Sequence, residues 1–395
     1  MKDDLPAGFR AGTAEAEFKK AGRKDLGLIY SDYPCTLAAM FTQNTFCAAP
    51  VQVDREILAS GRDVRAIVAN SGQANSCTGD EGLKNCREIQ KFIATSLDIN
   101  PDEVLLISTG VIGAQFNMDK WRKALPDVVE NLGQADALAF THAFMTTDAF
   151  PKYATKELDL AGGKVRLAVM AKGAGMICPN MATMLCVALT DAGVERNAWQ
   201  ELFNKAVNAT FNRVSVDGDT STNDTILGLA NGASGVVVKL GPDMDSMEAH
   251  LTEILGQVAA MLVKDGEGCR RMMRIIVEGA RDEGEATRVA RAVGNSQLVK
   301  TAIYGGDANW GRIINAVGYS GVDLEPEKVN LWLCGIERFR NGQPINDDLE
   351  KDLTEKLQAD LVEIRLSLGD GKGTYTLLAS DLGHEYVSLN ADYRS

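Results

Sequence analysis

Apolar and polar positions along the 395 residues change their period several times, and each change marks an element. Residues 64–70 and 104–107 are short apolar runs suited to buried strands. Leu83, Cys86, Ile89, Ile93 and Leu97 recur at helical spacing, which predicts a helix with one face on a sheet. Residues 26–31 and 36–42 read as paired strands around the Asp32-Tyr33-Pro34 turn, with a short helix over 53–60 behind them. Residues 126–132 and 135–144 read as helices, Pro126 falling in a first turn. A strand pair is expected over 153–160 and 164–170, an apolar strand over 184–189, and helices over 195–208 and 244–263. A strand over 272–278 and a helix from Gly284 to Val293 follow. Near the end, Ile364, Leu366 and Leu368 alternate, as do Tyr375 and Leu377, which predicts a β-hairpin around 369–374. Strand-turn-strand pairs argue against a repeated βαβ series, so the fold class is α+β. A boundary near Arg281 divides a catalytic domain, 1–280, from a C-terminal domain, 281–395.

The stretch 172–189 organises the candidate chemistry. Gly173, Gly175, Pro179 and Asn180 break helix and sheet, and the apolar strand begins directly afterwards. Thr183 stands at the first step of that strand. The residues allow a plain turn feeding a strand. They also allow a nucleophile made by self-cleavage, in which the Thr183 hydroxyl attacks the Ala182 carbonyl and the acyl group shifts from nitrogen to oxygen. Water then opens the ester, and the freed α-amine of Thr183 becomes its own base. A second stretch, Ser108-Thr109-Gly110, is either a strand end with a turn glycine or a pair of donors, hydroxyl and backbone N–H, able to hold an oxyanion.

Composition narrows the partners. A formal charge of -13 repels phosphate backbones and anionic membrane surfaces, so neither nucleic acid nor membrane is an expected partner. No apolar run approaches the roughly 18 residues of a membrane span, and a cytoplasmic location is expected. The 8 cysteines form no C-x-x-C pair and read as reduced thiols. His142, His250 and His384 lie outside any metal-binding spacing, which leaves few candidates for a His triad. The run 217–224 superficially resembles a calcium loop but lacks the glycine and the acidic residue such a loop requires, so no metal is expected. Gly369-Asp-Gly-Lys-Gly-Thr374 lacks the order of a phosphate loop.

Lys-Gly-Ala-Gly-Met at 172–176 and Asn-Met-Ala-Thr-Met-Leu at 180–185 closely resemble the autoprocessing site of the arginine-biosynthesis glutamate N-acetyltransferase (ornithine acetyltransferase) family. Further matches follow in order at 26–31, 66–72, 108–110, 215–224, 264–268, 305–312 and 390–395. One departure is Cys178, where many members carry His. The resemblance implies an α-β-β-α sandwich of two sheets between helix layers with a smaller C-terminal α/β domain. It implies cleavage between Ala182 and Thr183 into chains 1–182 and 183–395, assembled as two copies of each. It further implies acetyl transfer from N2-acetyl-L-ornithine to L-glutamate through acetyl-Thr183, with Thr109 and Gly110 as the oxyanion hole. The substrate contacts so implied are one of Thr146 and Thr147, of which Thr146 is chosen, with Lys172, Thr183, Glu267, Asn390 and Ser395, and no cofactor. Acetyl-CoA is an additional donor in the bifunctional form of the family. Two other classes are carried beside this one: an amidase or aminopeptidase with the same nucleophile that gives its acyl group to water, and an uncleaved metabolite-binding protein.

Overall fold

The computed structural model describes residues 5–19, 21–178, 184–345 and 350–392. Ala182, Thr183 and Ser395 lie outside them. In chain order the first part runs β1 (Phe9–Ala14), β2 (Leu26–Phe41), α1 (Ala49–Ser60), β3 (Val64–Gln73), α2 (Gly79–Leu97), β4 (Val104–Val111), α3 (Met118–Glu130) and α4 (Ala137–Phe144). It continues with β5 (Lys152–Leu160), β6 (Gly163–Lys172), β7 (Leu185–Thr190), α5 (Arg196–Ala209), β8 (Val214–Ser215), β9 (Thr225–Ala230) and α6 (Pro242–Lys264). After these come β10 (Met272–Ala280), α7 (Glu283–Gly294), α8 (Gln297–Gly305), α9 (Trp310–Gly318), β11 (Asn330–Leu333), β12 (Ile336–Arg340) and β13 (Gln343–Pro344). The chain closes with α10 (Glu350–Lys356), β14 (Leu361–Ser367), β15 (Gly373–Ser380) and α11 (His384–Asp392).

Two mixed sheets with helices packed on them make an α+β fold. The first has the order β4-β3-β2-β9-β7-β6-β5, with β1 also on β2; the second has the order β13-β12-β11-β14-β10-β15-β8. In the first sheet β2 belongs to two halves. Its residues Leu26 to Tyr30 pair β3, and its residues Thr36 to Phe41 pair β9. The exposed Asp32, Tyr33 and Pro34 mark the irregularity between them. One core cluster joins Leu28, Ile67 and Leu105 of one half to Leu185, Val187 and Leu189 of β7 in the other, so the halves face each other. Side chains alternate across a strand. Cys186 and Ala188 therefore point the other way, into a cluster with Phe203 of α5 and Val258 of α6. A Cβ on Gly228 of β9 would come within 2.5 Å of the Phe203 ring, so the missing side chain is what lets α5 lie close. The indole of Trp199 donates to the Gly228 carbonyl at 3.0 Å in the same contact. Helices thus bracket two facing half-sheets in an α-β-β-α layering.

Four local expectations need correction. Residues 26–31 and 36–42 do not pair with each other but are one bent strand, whose halves pair with β3 and β9 instead. Residues 369–374 do not close a hairpin: β10 lies between β14 and β15, parallel to the first and antiparallel to the second. The alternation of a hairpin and of two strands flanking a third is the same, so sequence period could not separate them. Pro126 sits inside α3, whose start is set by Asn117 accepting the Lys120 N–H at 3.2 Å and whose buried face is Trp121, Ala124, Leu125 and Val128. The second sheet takes β8 and β10 from before Arg281, so a division at 280/281 cuts it.

Candidate active site

β3 and β4 run parallel, with Ser71 opposite Thr109 and Gly72 opposite Gly110. Gly110 has φ +139°, and a Cβ there would stand 2.1 Å from the Gly72 carbonyl carbon, so only glycine fits. Asn223, at the approach to β9, donates from Nδ2 to the carbonyls of Ala74 at 2.7 Å and Ser108 at 2.9 Å. This anchors three strand ends to one another. β6 lies antiparallel to β7, with Lys172 opposite Leu185, so Lys172 leaves its strand where β7 begins. Its Nζ reaches Thr109 Oγ1 at 3.1 Å.

Asp148 organises the adjoining wall. It accepts the Thr146 N–H at 2.8 Å and the Gly173 N–H at 2.6 Å, and it pairs with the buried Lys152, which also contacts Asp265. Burial alone would raise the Asp148 carboxyl, but Lys172, Lys152 and these hydrogen bonds bring it down to about 2. Lys172 is itself pushed below the ordinary lysine range, chiefly by burial, with Asp148 opposing. The loop after β6 is fixed from the C-terminal side. Asp217 accepts the N–H groups of Met176 at 2.6 Å and Ile177 at 2.8 Å, and Tyr386 of α11 donates its hydroxyl to the same carboxylate at 3.2 Å. Glu267 donates its backbone N–H to the Ala174 carbonyl at 2.9 Å, and its Oε2 accepts from Asn390 Nδ2 at 2.7 Å. The run 217–224 thus spends its first carboxylate on backbone amides. Cys178 is buried, with Arg291 Nη1 at 3.3 Å and Asn295 Nδ2 at 3.7 Å from its sulfur.

These elements line an open cleft. Thr109, Gly110, Thr146, Lys172, Glu267 and Asn390 all line it, as does Thr147. So does Met184, the residue after Thr183 in the chain. No histidine is among the described lining residues. Sequence reasoning passed over Asp148, Asp217, Asn223, Asp224 and Tyr386. Asp217, Asn223 and Asp224 lay within a stretch read as a turn, and its density of Asp, Asn and Thr was the available signal.

The ArgJ family model matches residues 10–395. The chain belongs to the ArgJ family. It is 58% identical over 390 residues to "Arginine biosynthesis bifunctional protein ArgJ" of Nitratidesulfovibrio vulgaris, covering 99% of each chain. It is 44% identical over 392 residues to the ArgJ of Geobacter sulfurreducens, covering 98% of this chain and 99% of that one. A crystal structure of ArgJ from Bacillus halodurans is 37% identical, with TM-score 0.49, covering 51% of this chain and 96% of that chain. The ArgJ resemblance therefore extends over nearly the whole chain and is not confined to the motifs around 172–185.

Proposed function

We propose that this ArgJ-family acyltransferase of arginine biosynthesis moves an acetyl group from N2-acetyl-L-ornithine to L-glutamate through an ester on Thr183. The chain is cut between Ala182 and Thr183, and the new α-amine of Thr183 serves as base. Thr109 O–H and Gly110 N–H receive the negative charge of the tetrahedral intermediate, where fixed donors act most strongly. Thr146, Lys172, Glu267, Asn390 and Ser395 hold the substrates, Glu267 facing an ammonium. The cycle needs no cofactor; acetyl-CoA is an additional donor. The fragments 1–182 and 183–395 assemble as two copies of each and work in the cytoplasm.

One observation carries this reading. Residues from five separate parts of the chain, Thr109 with Gly110, Thr146, Lys172, Glu267 and Asn390, share a cleft with Met184. The test is intact-mass measurement of the purified protein, then of protein exposed to acetylornithine alone. Two fragments meeting at Ala182 and Thr183, with one acetyl group on the peptide that begins at Thr183, are expected. A fragment starting elsewhere, or an acetyl group elsewhere, overturns the assignment. Acetate release at a rate indifferent to glutamate would identify a hydrolase instead.

A further inference from the structure

Asp224 lines the same cleft and has no part in that scheme. It is 2% exposed, and its Oδ2 has no hydrogen-bond partner among the described residues. A buried polar atom left unpaired costs on the order of 1–3 kcal/mol, so its retention calls for a reason. Ser221 lies close enough to the carboxyl to oppose the effect of burial. The Thr225 N–H donates to the Met184 carbonyl at 3.0 Å, which sets Asp224 against the start of β7. The charged group facing it is Lys172 of β6, behind which stand Asp148, Lys152 and Asp265, with Lys19 near Lys172 and Glu267 on the same cleft. Burial pushes Asp224 well above the ordinary carboxyl range, which favours the neutral acid.

Acetyl exchange between two amines sets a proton problem that an N-terminal nucleophile alone does not solve. When the amide of acetylornithine is split, the leaving nitrogen takes the Thr183 hydroxyl proton and becomes a neutral amine. It needs one more proton to leave as an ammonium. Glutamate then arrives as an ammonium and must lose a proton before its nitrogen can attack. Between the two half-reactions one proton has to be given out and later taken back.

Resting on the acetyl-Thr183 reading, we propose that Asp224 is the proton store of the cleft. In the first half-reaction the C–N bond of the donor amide breaks, the ester C–O bond to Thr183 forms, and Asp224 passes its proton to the departing amine, leaving a carboxylate that Lys172 stabilises. In the second, the glutamate ammonium returns a proton to Asp224. Its nitrogen then forms the new C–N bond, the ester C–O bond breaks, and the second ammonium proton restores the Thr183 hydroxyl. Acetylornithine and glutamate ammonium thus become ornithine ammonium and acetylglutamate, with the enzyme unchanged. Its seclusion from bulk water suits Asp224 to holding the proton between the two steps.

The test uses the acetyl-enzyme, formed in wild type from acetylornithine and in Asp224→Asn from p-nitrophenyl acetate, whose leaving group departs without a proton, then mixed at neutral pH with either glutamate or hydroxylamine; it follows the loss of the acetyl mass by rapid quench. Hydroxylamine is largely uncharged at neutral pH and has no proton to surrender before attack. In Asp224→Asn, deacetylation by glutamate should fall on the order of 10²-fold while deacetylation by hydroxylamine stays close to wild type. Equal slowing with both acceptors, or slowing with neither, overturns the store. Wild-type enzyme supplies a check that needs no variant: its infrared difference spectrum on acetylation should lose a protonated-carboxyl band, and an unchanged carboxyl region overturns the proposal. If wild type forms no acetyl adduct at all, the acetyl-Thr183 reading fails and takes the store with it, a result distinct from either of the others.

Discussion

Lys172 Nζ lies 3.1 Å from Thr109 Oγ1, at the mouth of the β6–β7 strand pair. An ammonium carries three donors and no acceptor, so charged Lys172 must supply the hydrogen in this contact. The Thr109 hydroxyl then keeps its own proton for a partner in the cleft. If Thr109 is the oxyanion donor proposed above, Lys172 orients it. Thr109→Val and Lys172→Met should therefore each lower kcat on the order of 10²–10³-fold. The double variant should be little worse than the worse single one, since both remove the same aimed proton. Multiplicative losses in the double variant, measured by single-turnover quench, would show that the two side chains act separately. Gly110 offers no comparable test. Its alanine variant would push a Cβ into the β3 backbone, and inactivity would report the clash.

Gly175 approaches Glu267 so closely that a Cβ built on it falls 2.6 Å from Oε2. Its φ lies outside the left-handed region, and the obstructing atoms are the tip of a flexible side chain, so Gly175→Ala should fold. The carboxylate must then swing away from Asn390 Nδ2, which it now meets at 2.7 Å. Loss of a hydrogen bond to a charged group costs on the order of 1.5–3 kcal/mol. If Glu267 holds the substrate ammonium, KM should rise roughly 10–10²-fold with kcat little changed. A variant with wild-type KM would remove Glu267 from the list of substrate contacts.

Most strands and helices were legible because their periods are local. Leu83 to Leu97 repeat on one helix face, and β7 is apolar on both faces because the facing half-sheet covers one and α5 and α6 cover the other. Pairing partners were not legible. The alternation in β14 and β15 states that each has a buried side, and says nothing of β10 lying between them. Of the cleft, the motif stretches could be picked out as glycine-rich or hydroxyl-bearing loops at strand ends. What holds those loops could not. Asp148 and Asp217 act through backbone amides at 25 and 41 residues' separation, in contacts no residue type announces.

Asp217 fixes the loop ahead of the proposed cut. Its carboxylate takes two adjacent amide N–H groups, Met176 and Ile177, and Met176 holds φ +56°, a conformation that needs support in a residue with a side chain. Each charge-assisted bond is worth on the order of 1.5–3 kcal/mol. Asp217→Ala should lower stability to denaturant and slow self-cleavage, so that full-length chain accumulates on a denaturing gel. Tyr386→Phe, which removes one phenol donor at 3.2 Å and leaves the amides bound, should do neither to the same extent. Prompt cleavage in Asp217→Ala would show that the loop keeps its shape without these bonds.

Lys152 is fully buried between Asp148 and Asp265, and the Asp148 carboxylate it supports pins both Thr146 and Gly173. Removing one member of a buried ion cluster leaves the others unpaired, which costs on the order of 3–5 kcal/mol. Lys152→Met should lose that much in chemical denaturation, more than any exposed pair would. The pH dependence has a defined sign. Asp148 is depressed from 3.8 to about 2 in the folded protein, so its contribution is present above the unfolded value and fades as pH falls from about 4 to 2. The titrating part is on the order of 2 kcal/mol. The stability gap between wild type and Asp148→Asn should accordingly be widest above pH 5 and narrow by about that amount on acidification to pH 2, read from urea midpoints across the range. Asp265 and Asp224, both raised chiefly by burial, titrate in the opposite sense, and the Asp148 charge adds to the rise of Asp265, so the change in the gap belongs to Asp148 together with its effect on Asp265. A gap that stays constant with pH would mean that Asp148 supports Thr146 and Gly173 by shape, without the charge that Lys152 and Lys172 stabilise.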